Sequence, residues 1–283
     1  MTKQFIKPKH FWKFSKNNIS HKDHLALDWL NSPAVFETMR VYHARVFALD
    51  EHMQRLFASA KDYCIHIPWT LPALKAWLAD CQQVIKSDDI MLRLSIQKHP
   101  TEGVAALLLI RPISAKVGAL RNKGLKLKTS SVKLNSVTSS MSQAKGNNYL
   151  NSIQAWVQNK PKGLGQRVDD LHLTADGYVG EGGISNVFAI KKSQIWTPPA
   201  ACGILLGITR QTTLQMAQNI GLKCHQSPLT RHDLYTADEL LITNTSLEIM
   251  PVIELDARQI GLGKPGRMAR LLQKEFLKLV KLI

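Results

Sequence analysis

The chain has 283 residues, 45% of them hydrophobic, and Lys plus Arg exceed Asp plus Glu by 37 minus 21, or 16 charges. That length and apolar content suffice for one large core or two smaller ones, and they exclude a disordered chain. No apolar run approaches the roughly 20 residues that a membrane-spanning helix needs, so we expect a cytoplasmic globular protein with no membrane partner.

The basic excess suits nucleic acid or an acidic small molecule, but it is spread along the chain and no nucleic-acid motif accompanies it. We expect no nucleic-acid partner, and read the charge as general solubility with an anionic substrate as a second role. The four cysteines, Cys64, Cys81, Cys202 and Cys224, form no Cys-x-x-Cys pair and stand beside no histidine pair. Neither a disulfide framework nor a metal site is expected.

Residues 1–31 open with Lys3, Lys7, Lys9, Lys13 and Lys16 and read as an irregular segment or an edge strand. After the turn signal at Ser32-Pro33, Val35–Val41 and Arg45–Leu49 read as a strand pair about Tyr42-His43-Ala44. Asp50 is placed to cap a helix from Glu51 to Tyr63 with Met53, Leu56, Phe57 and Ala60 on its apolar face, leaving Arg55 off that face. A second helix, 70–85, carries Leu71, Leu74, Trp77, Leu78 and Cys81, with Pro72 tolerated in its first turn. Strands follow at Ile90–Ile96 and Ala105–Ile110. Arg93 on the first of them is either a substrate-carboxylate ligand or a structural strand arginine.

Gly118 and Gly124 mark residues 118–124 as a linker between a domain of residues 1–117 and one of residues 125–283. Lys145 then stands just ahead of a helical pattern with Leu150, Ile153 and Val157 on one face. Alone it is a solvated loop lysine, or a lysine whose amine attacks carbonyl compounds once it sheds its proton. Val168–Leu173 and Tyr178–Glu181 read as strands about the turn Thr174-Ala175-Asp176-Gly177. Gly207-Ile208-Thr209-Arg210 leads into a helix over Gln211–Ile220, whose start is either an anion site or an ordinary capped helix end. Glu239–Val252 reads as strand, polar loop and strand, and the tail after Gly261 as a core-closing helix.

Four motifs stand in order: Lys145-x-x-Asn148-Tyr149-Leu150, Glu181-Gly182-x-x-Ser185-Asn186-Val187-Phe188, Thr197-Pro198 and Gly207-Ile208-Thr209-Arg210. Together they resemble the class IV aminotransferases, the fold-type IV pyridoxal-phosphate enzymes that include branched-chain and D-amino-acid aminotransferases and 4-amino-4-deoxychorismate lyase. The resemblance implies an α+β fold of two domains, a small N-terminal α/β sandwich and a larger C-terminal β-barrel-like domain with helices. It also implies a homodimer acting on a small amine substrate that carries carboxylates, with pyridoxal phosphate bound to Lys145 as an imine.

The same resemblance implies roles for further residues. Arg55, in His52-Met53-Gln54-Arg55-Leu56, goes to the cofactor phosphate, with Ile208 and Thr209 at its far side. Glu181 goes to the pyridine nitrogen, which a carboxylate keeps protonated. Thr243, Asn244 and Thr245 line the phosphate, while Phe36, Arg93 and Ser246 meet the substrate and Thr38, catalytic together with Lys145, projects toward the cofactor. Within the family, Phe36-Glu37-Thr38-Met39-Arg40 and Thr243-Asn244 resemble the lyase branch, although Gln97-Lys98-His99-Pro100 departs from its arginine-glycine loop. The expected reaction is therefore release of 4-aminobenzoate and pyruvate, in folate biosynthesis. Transamination of branched-chain L-amino acids or D-amino acids is the alternative.

Overall fold

A computed structural model describes residues 10–15, 18–22, 32–83, 89–99, 103–136, 143–147, 154 and 168–282. The chain divides into two compact units, one of residues 1–113 with 144–147 and Ile283, the other of residues 114–143 with 148–282. The helix read after Lys145, with Leu150, Ile153 and Val157, lies outside the described residues. No described helix is long and apolar enough to cross a membrane.

The first unit is built on a six-stranded sheet in the order β2-β1-β6-β5-β3-β4. Its strands are β1 (His10–Ser15), β2 (Asn18–Lys22), β3 (Ala34–Tyr42), β4 (Arg45–Val46), β5 (Ile90–His99) and β6 (Gly103–Pro112). Every pairing in it is antiparallel. The basic opening therefore does more than line an edge, because β1 pairs along β6 and only β2 is outermost.

Alternation along β3 decides which side is core. Val35, Met39 and Val41 are buried against Ile96, Leu92 and Ile90, their partners on β5. Against that face pack α1 (Leu49–Asp62), through Met53, Leu56 and Ala60, and α2 (Leu71–Gln83), through Leu74, Trp77, Leu78 and Cys81. The opposite face of β3 carries Phe36, Thr38 and Arg40, since successive strand residues point to opposite sides.

Asp50 does not cap α1. The helix begins two residues earlier than expected, at Leu49, with Ala48 at the cap in a left-handed conformation (φ 52°) and no side-chain cap bond. The reason lies in the approach: His43 and Ala44 also take positive φ (47° and 60°), and the tight β3–β4 turn delivers the chain to Leu49 already coiled. Asp50 falls in the first helical turn, where its charge favours the helix dipole and pairs with Lys75.

The second unit opens with α3 (Lys116–Lys123), so the stretch expected to be a linker is largely helical. Gly124 ends it at φ 84°, where a Cβ would lie 2.4 Å from Ile253 Cγ2. The strands are β7 (Leu125–Thr129), β8 (Val168–Leu173), β9 (Val179–Gly182), β10 (Asn186–Lys191), β11 (Gln194–Thr197), β12 (Cys224–Gln226), β13 (Glu239–Asn244), β14 (Glu248–Leu255) and β15 (Arg258–Gln259). They form one sheet in the order β12-β11-β10-β13-β14-β7-β8-β9, with β15 beside β14. Gly182 and Ser185 exchange backbone hydrogen bonds of 2.6 and 3.5 Å, turning β9 straight into β10. The path from β10 round to β9 thus returns on itself, which gives the sheet its barrel-like form.

Further α-helices of this unit are α4 (Ile208–Asn219), α5 (Arg231–Tyr235) and α6 (Arg267–Lys281). The N-terminus of α6 is held by the Glu239 carboxylate, which accepts from the Met268 and Ala269 amides at 2.8 Å each. That bond anchors the tail helix to the start of β13 and puts an anion at its positive end.

Candidate active site

In the first unit, Lys145 is held by its neighbours in sequence. The strip 145–147 lies along the free edge of β3: the Phe36 amide donates to the Lys145 carbonyl at 2.9 Å, and the Asn147 amide to the Ala34 carbonyl at 2.9 Å. Gly146 pairs with Val35 across this short ladder. The Lys145 amide donates to Ser59 Oγ of α1 at 3.0 Å. Since Gly146 shares the face of Val35, Lys145 shares the face of Phe36, and its Nζ lies 4.7 Å from the Phe36 ring centroid.

The same ring carries a second cation. The Arg93 guanidinium lies 3.6 Å from the Phe36 centroid. Arg93 is the register partner of Thr38, so Phe36, Thr38, Arg93 and Lys145 gather on the sheet face turned away from α1 and α2. These four are among the residues singled out from the sequence, and the fold brings them together.

Arg55 is placed differently. Its Nε and Nη2 donate to Glu37 Oε1 and Oε2, both at 2.7 Å, and His52 Nδ1 lies 2.7 Å from Oε2. Glu37 has 0% exposure and projects from β3 among core residues. Burial alone pushes its carboxyl upward, but the hydrogen bonds and charges of Arg55 and His52 outweigh that and hold it at about 2. Burial pushes His52 down, so the ring is neutral and donates its Nδ1 proton to the carboxylate.

The sequence offered a signal for this cluster. Glu37 sits in phase with Val35, Met39 and Val41, and a carboxylate on a core face requires a cation.

In the second unit, Glu181 is the last residue but one of β9, and its carboxylate is fixed. Oε2 accepts from Asn186 Nδ2 and from the Leu205 amide, each at 3.0 Å. Asn186 Nδ2 also donates to the Leu205 carbonyl at 2.8 Å. Gly207, the residue before α4, lies against the same asparagine: a Cβ there would fall 2.1 Å from Asn186 Oδ1. Asn186 therefore ties the carboxylate to the start of α4. It stands in the quoted Ser185-Asn186 motif, yet residue type alone assigned it no role.

Helix α4 begins at Ile208 rather than Gln211, so Ile208, Thr209 and Arg210 form its first turn. No side chain caps the Gly207 end, which leaves backbone amides at the positive end of the dipole. Arg210 does not serve an anion there. It is buried, its Nη2 donating to the Pro198 carbonyl and Gln226 Oε1 at 2.9 Å each, and the Glu181 charge opposes the downward push of burial on its pKa.

Asn244 closes its own loop, with Oδ1 accepting from the Leu247 amide at 2.7 Å and Nδ2 donating to the Ile184 carbonyl at 3.3 Å. Thr245 and Ser246 are half-buried at the loop's tip. Thr243 is 1% exposed, and its Oγ1 is buried without a hydrogen-bond partner. It is the register partner of Asn186, so that hydroxyl shares the face on which Asn186 holds Glu181. Among the described residues, no group of His, Cys, Asp and Glu could hold a metal ion.

Residues 34–255 match the family described as amino-transferase class IV. The chain belongs to the class IV aminotransferases. A Methanocaldococcus jannaschii protein provisionally named a branched-chain-amino-acid aminotransferase is 37% identical over 258 residues, 87% of each chain. The branched-chain-amino-acid aminotransferase of Pseudomonas aeruginosa is 33% identical over 262 residues, 87% of this chain and 83% of that one. Among solved structures, the T.th. branched-chain amino acid aminotransferase complexed with N-(5'-phosphopyridoxyl)-L-glutamate superposes with a TM-score of 0.86 at 26% identity, over 98% of this chain and 95% of that one.

Class IV aminotransferases are pyridoxal-phosphate enzymes, and the groups present suit that cofactor. The chain supplies a lysine on a fixed backbone, a carboxylate held by two donors, an uncapped helix start for a phosphate dianion and, in Thr243, a buried hydroxyl in need of a partner.

Proposed function

We propose that the chain is a branched-chain L-amino-acid aminotransferase, moving the α-amino group of valine, leucine or isoleucine to a 2-keto acid. The observation that carries this reading is 37% identity over 87% of both chains to a relative provisionally named for that activity. The lyase features, Phe36–Arg40 and Thr243-Asn244, have no counterpart in the names of these relatives, so the lyase expectation gives way to its alternative.

Bound pyridoxal phosphate supplies the electron sink that makes the substrate's α-proton removable. Lys145 would hold the cofactor, and its freed Nζ would serve as the base that takes the substrate's α-proton and the acid that gives it back. Glu181 would hold a proton on the pyridine nitrogen, and the pair of donors on Oε2 keeps that carboxylate aimed. The amides of Ile208 and Thr209, with Arg55, bind the phosphate. Phe36 offers an apolar surface to a branched side chain, and Arg93 a cation to a carboxylate. The reading includes a homodimer, which light scattering checks.

The deciding assay supplies the purified holoenzyme with L-leucine, L-valine or L-isoleucine and a keto-acid acceptor, with D-alanine, and with aminodeoxychorismate. We expect kcat/KM for the branched-chain L-amino acids to exceed that for D-alanine by about tenfold or more. Release of 4-aminobenzoate without transamination would return the reaction to the lyase.

A further inference from the structure

The strip that carries Lys145 is short, and a short ladder specifies its register poorly. Its backbone makes the two bonds to β3 from Phe36 and Asn147, about the single bridge Val35–Gly146. A slip of one residue would move every side chain in the strip to the other face of the sheet. Lys145 would then leave Phe36 and point to the side covered by α1.

Two features oppose that slip. Both ends of the Asn147 side-chain amide are bound to backbone at the start of β3, with Oδ1 accepting from the Ala34 amide at 3.3 Å and Nδ2 donating to the Ser32 carbonyl at 3.0 Å. An acceptor and a donor on one rigid amide match one acceptor-donor pattern on the facing chain. On the other face, the Tyr63 phenol occupies the space of a side chain at Gly146, where an added Cβ would lie 1.8 Å from its Oη. Neither Lys145 nor Asn147 could replace Gly146 there with Tyr63 in position.

We propose that Asn147 is a positioning residue that fixes the register of residues 145–147 against β3 and so decides which face of the sheet receives the Lys145 amine. Gly146 and Tyr63 support it by excluding the neighbouring register. The proposal rests on the reading of Lys145 as the cofactor-bearing lysine, and it concerns the apoprotein as well as the loaded enzyme.

The test has two readouts. In apoprotein, amide hydrogen exchange followed by mass spectrometry reports the Phe36 and Asn147 amides. In protein loaded with pyridoxal phosphate, borohydride reduction followed by peptide mapping reports the fraction trapped on Lys145. Asn147→Ala removes the two side-chain bonds, and we expect exchange to quicken and trapping to fall by about tenfold each, with the melting transition kept. Asn147→Asp keeps the acceptor and loses the donor, and falls between. Unchanged exchange and trapping in Asn147→Ala overturn the proposal, as does a loss of trapping that only follows global unfolding.

Should Asn147→Ala fail to fold, Gly146→Ala probes the same register from the other face. We expect it to lose trapping and Tyr63→Ala to restore it, and failure of that restoration overturns the proposal. If the unsubstituted protein is not trapped at Lys145, the cofactor reading fails instead, and exchange in apoprotein still decides the register.

Discussion

Arg55 and Glu37 form a two-pronged ion pair, with both hydrogen bonds at 2.7 Å and the carboxylate wholly inside the first unit's core. The Arg55 side chain is 16% exposed against 0% for Glu37, so the pair reaches from the core toward the surface. Glu37→Gln leaves the shape and removes the charge. We expect the apoprotein to lose about 3 kcal/mol in denaturant unfolding, because Arg55 is left without its counter-charge. Glu37→Leu with Arg55→Leu should recover most of that loss, and a double variant no better than the single would sink the account.

Acid should unfold the first unit through the same cluster. The Glu37 carboxyl stands below its ordinary 4.5, at about 2, so its stabilisation is present above pH 4.5 and is lost as pH falls toward 2. His52 is pushed below its ordinary 6.5, chiefly by burial, so the unfolded chain takes up that proton first and stability declines as pH drops below 6.5. The two effects have one sign. We expect melting temperature to fall in two stages on acidification, with His52→Gln removing the first and Glu37→Gln the second. A flat profile in the unsubstituted protein between pH 6.5 and 3 would contradict both.

Much of the frame was legible because its signals are local. The β3 and β5 strands, the α1 and α2 apolar faces and the Thr174–Gly177 turn, where Gly177 takes φ 87° and its amide reaches the Thr174 carbonyl at 3.0 Å, follow from periodicity and turn chemistry. The start of α1 was not, because a left-handed alanine at position 48 answers to the incoming turn and not to capping preference. The phase of Glu37 along β3 signalled that it needs a cation but not which one: 18 residues separate it from Arg55, and only the pairing of a helix with a strand joins them. Asn186 was hidden in plain view within a quoted motif. What its amide touches depends on Leu205, 19 residues away.

Asn186 should control how well Glu181 is aimed. Asn186→Ala removes one donor from the carboxylate and one bond to Leu205, each worth about 1 kcal/mol net. We expect kcat to fall about tenfold with a smaller change in KM, because the pyridine nitrogen is then held less firmly in its protonated state. Asn186→Asp should be worse, since it sets a second carboxylate beside Glu181. A variant whose KM rises while kcat holds would assign Asn186 to substrate binding instead.

Thr243 offers the cleanest separation of stability from cofactor binding. Its hydroxyl is buried beside Asn186 and has no hydrogen-bond partner, an arrangement that costs the apoprotein free energy. Valine has nearly the same shape and removes the cost, so Thr243→Val should raise apoprotein stability by up to about 1 kcal/mol. If the hydroxyl exists to meet pyridoxal phosphate, the same change should weaken cofactor affinity by about fivefold or more and shrink the rise in melting temperature on loading. Calorimetry on apoprotein and titration with pyridoxal phosphate, run on the same variant, read the two effects apart. A variant that gains stability and binds the cofactor as before would remove Thr243 from the cofactor site, leaving Glu181, Ile208 and Thr209 as this unit's contacts to test next.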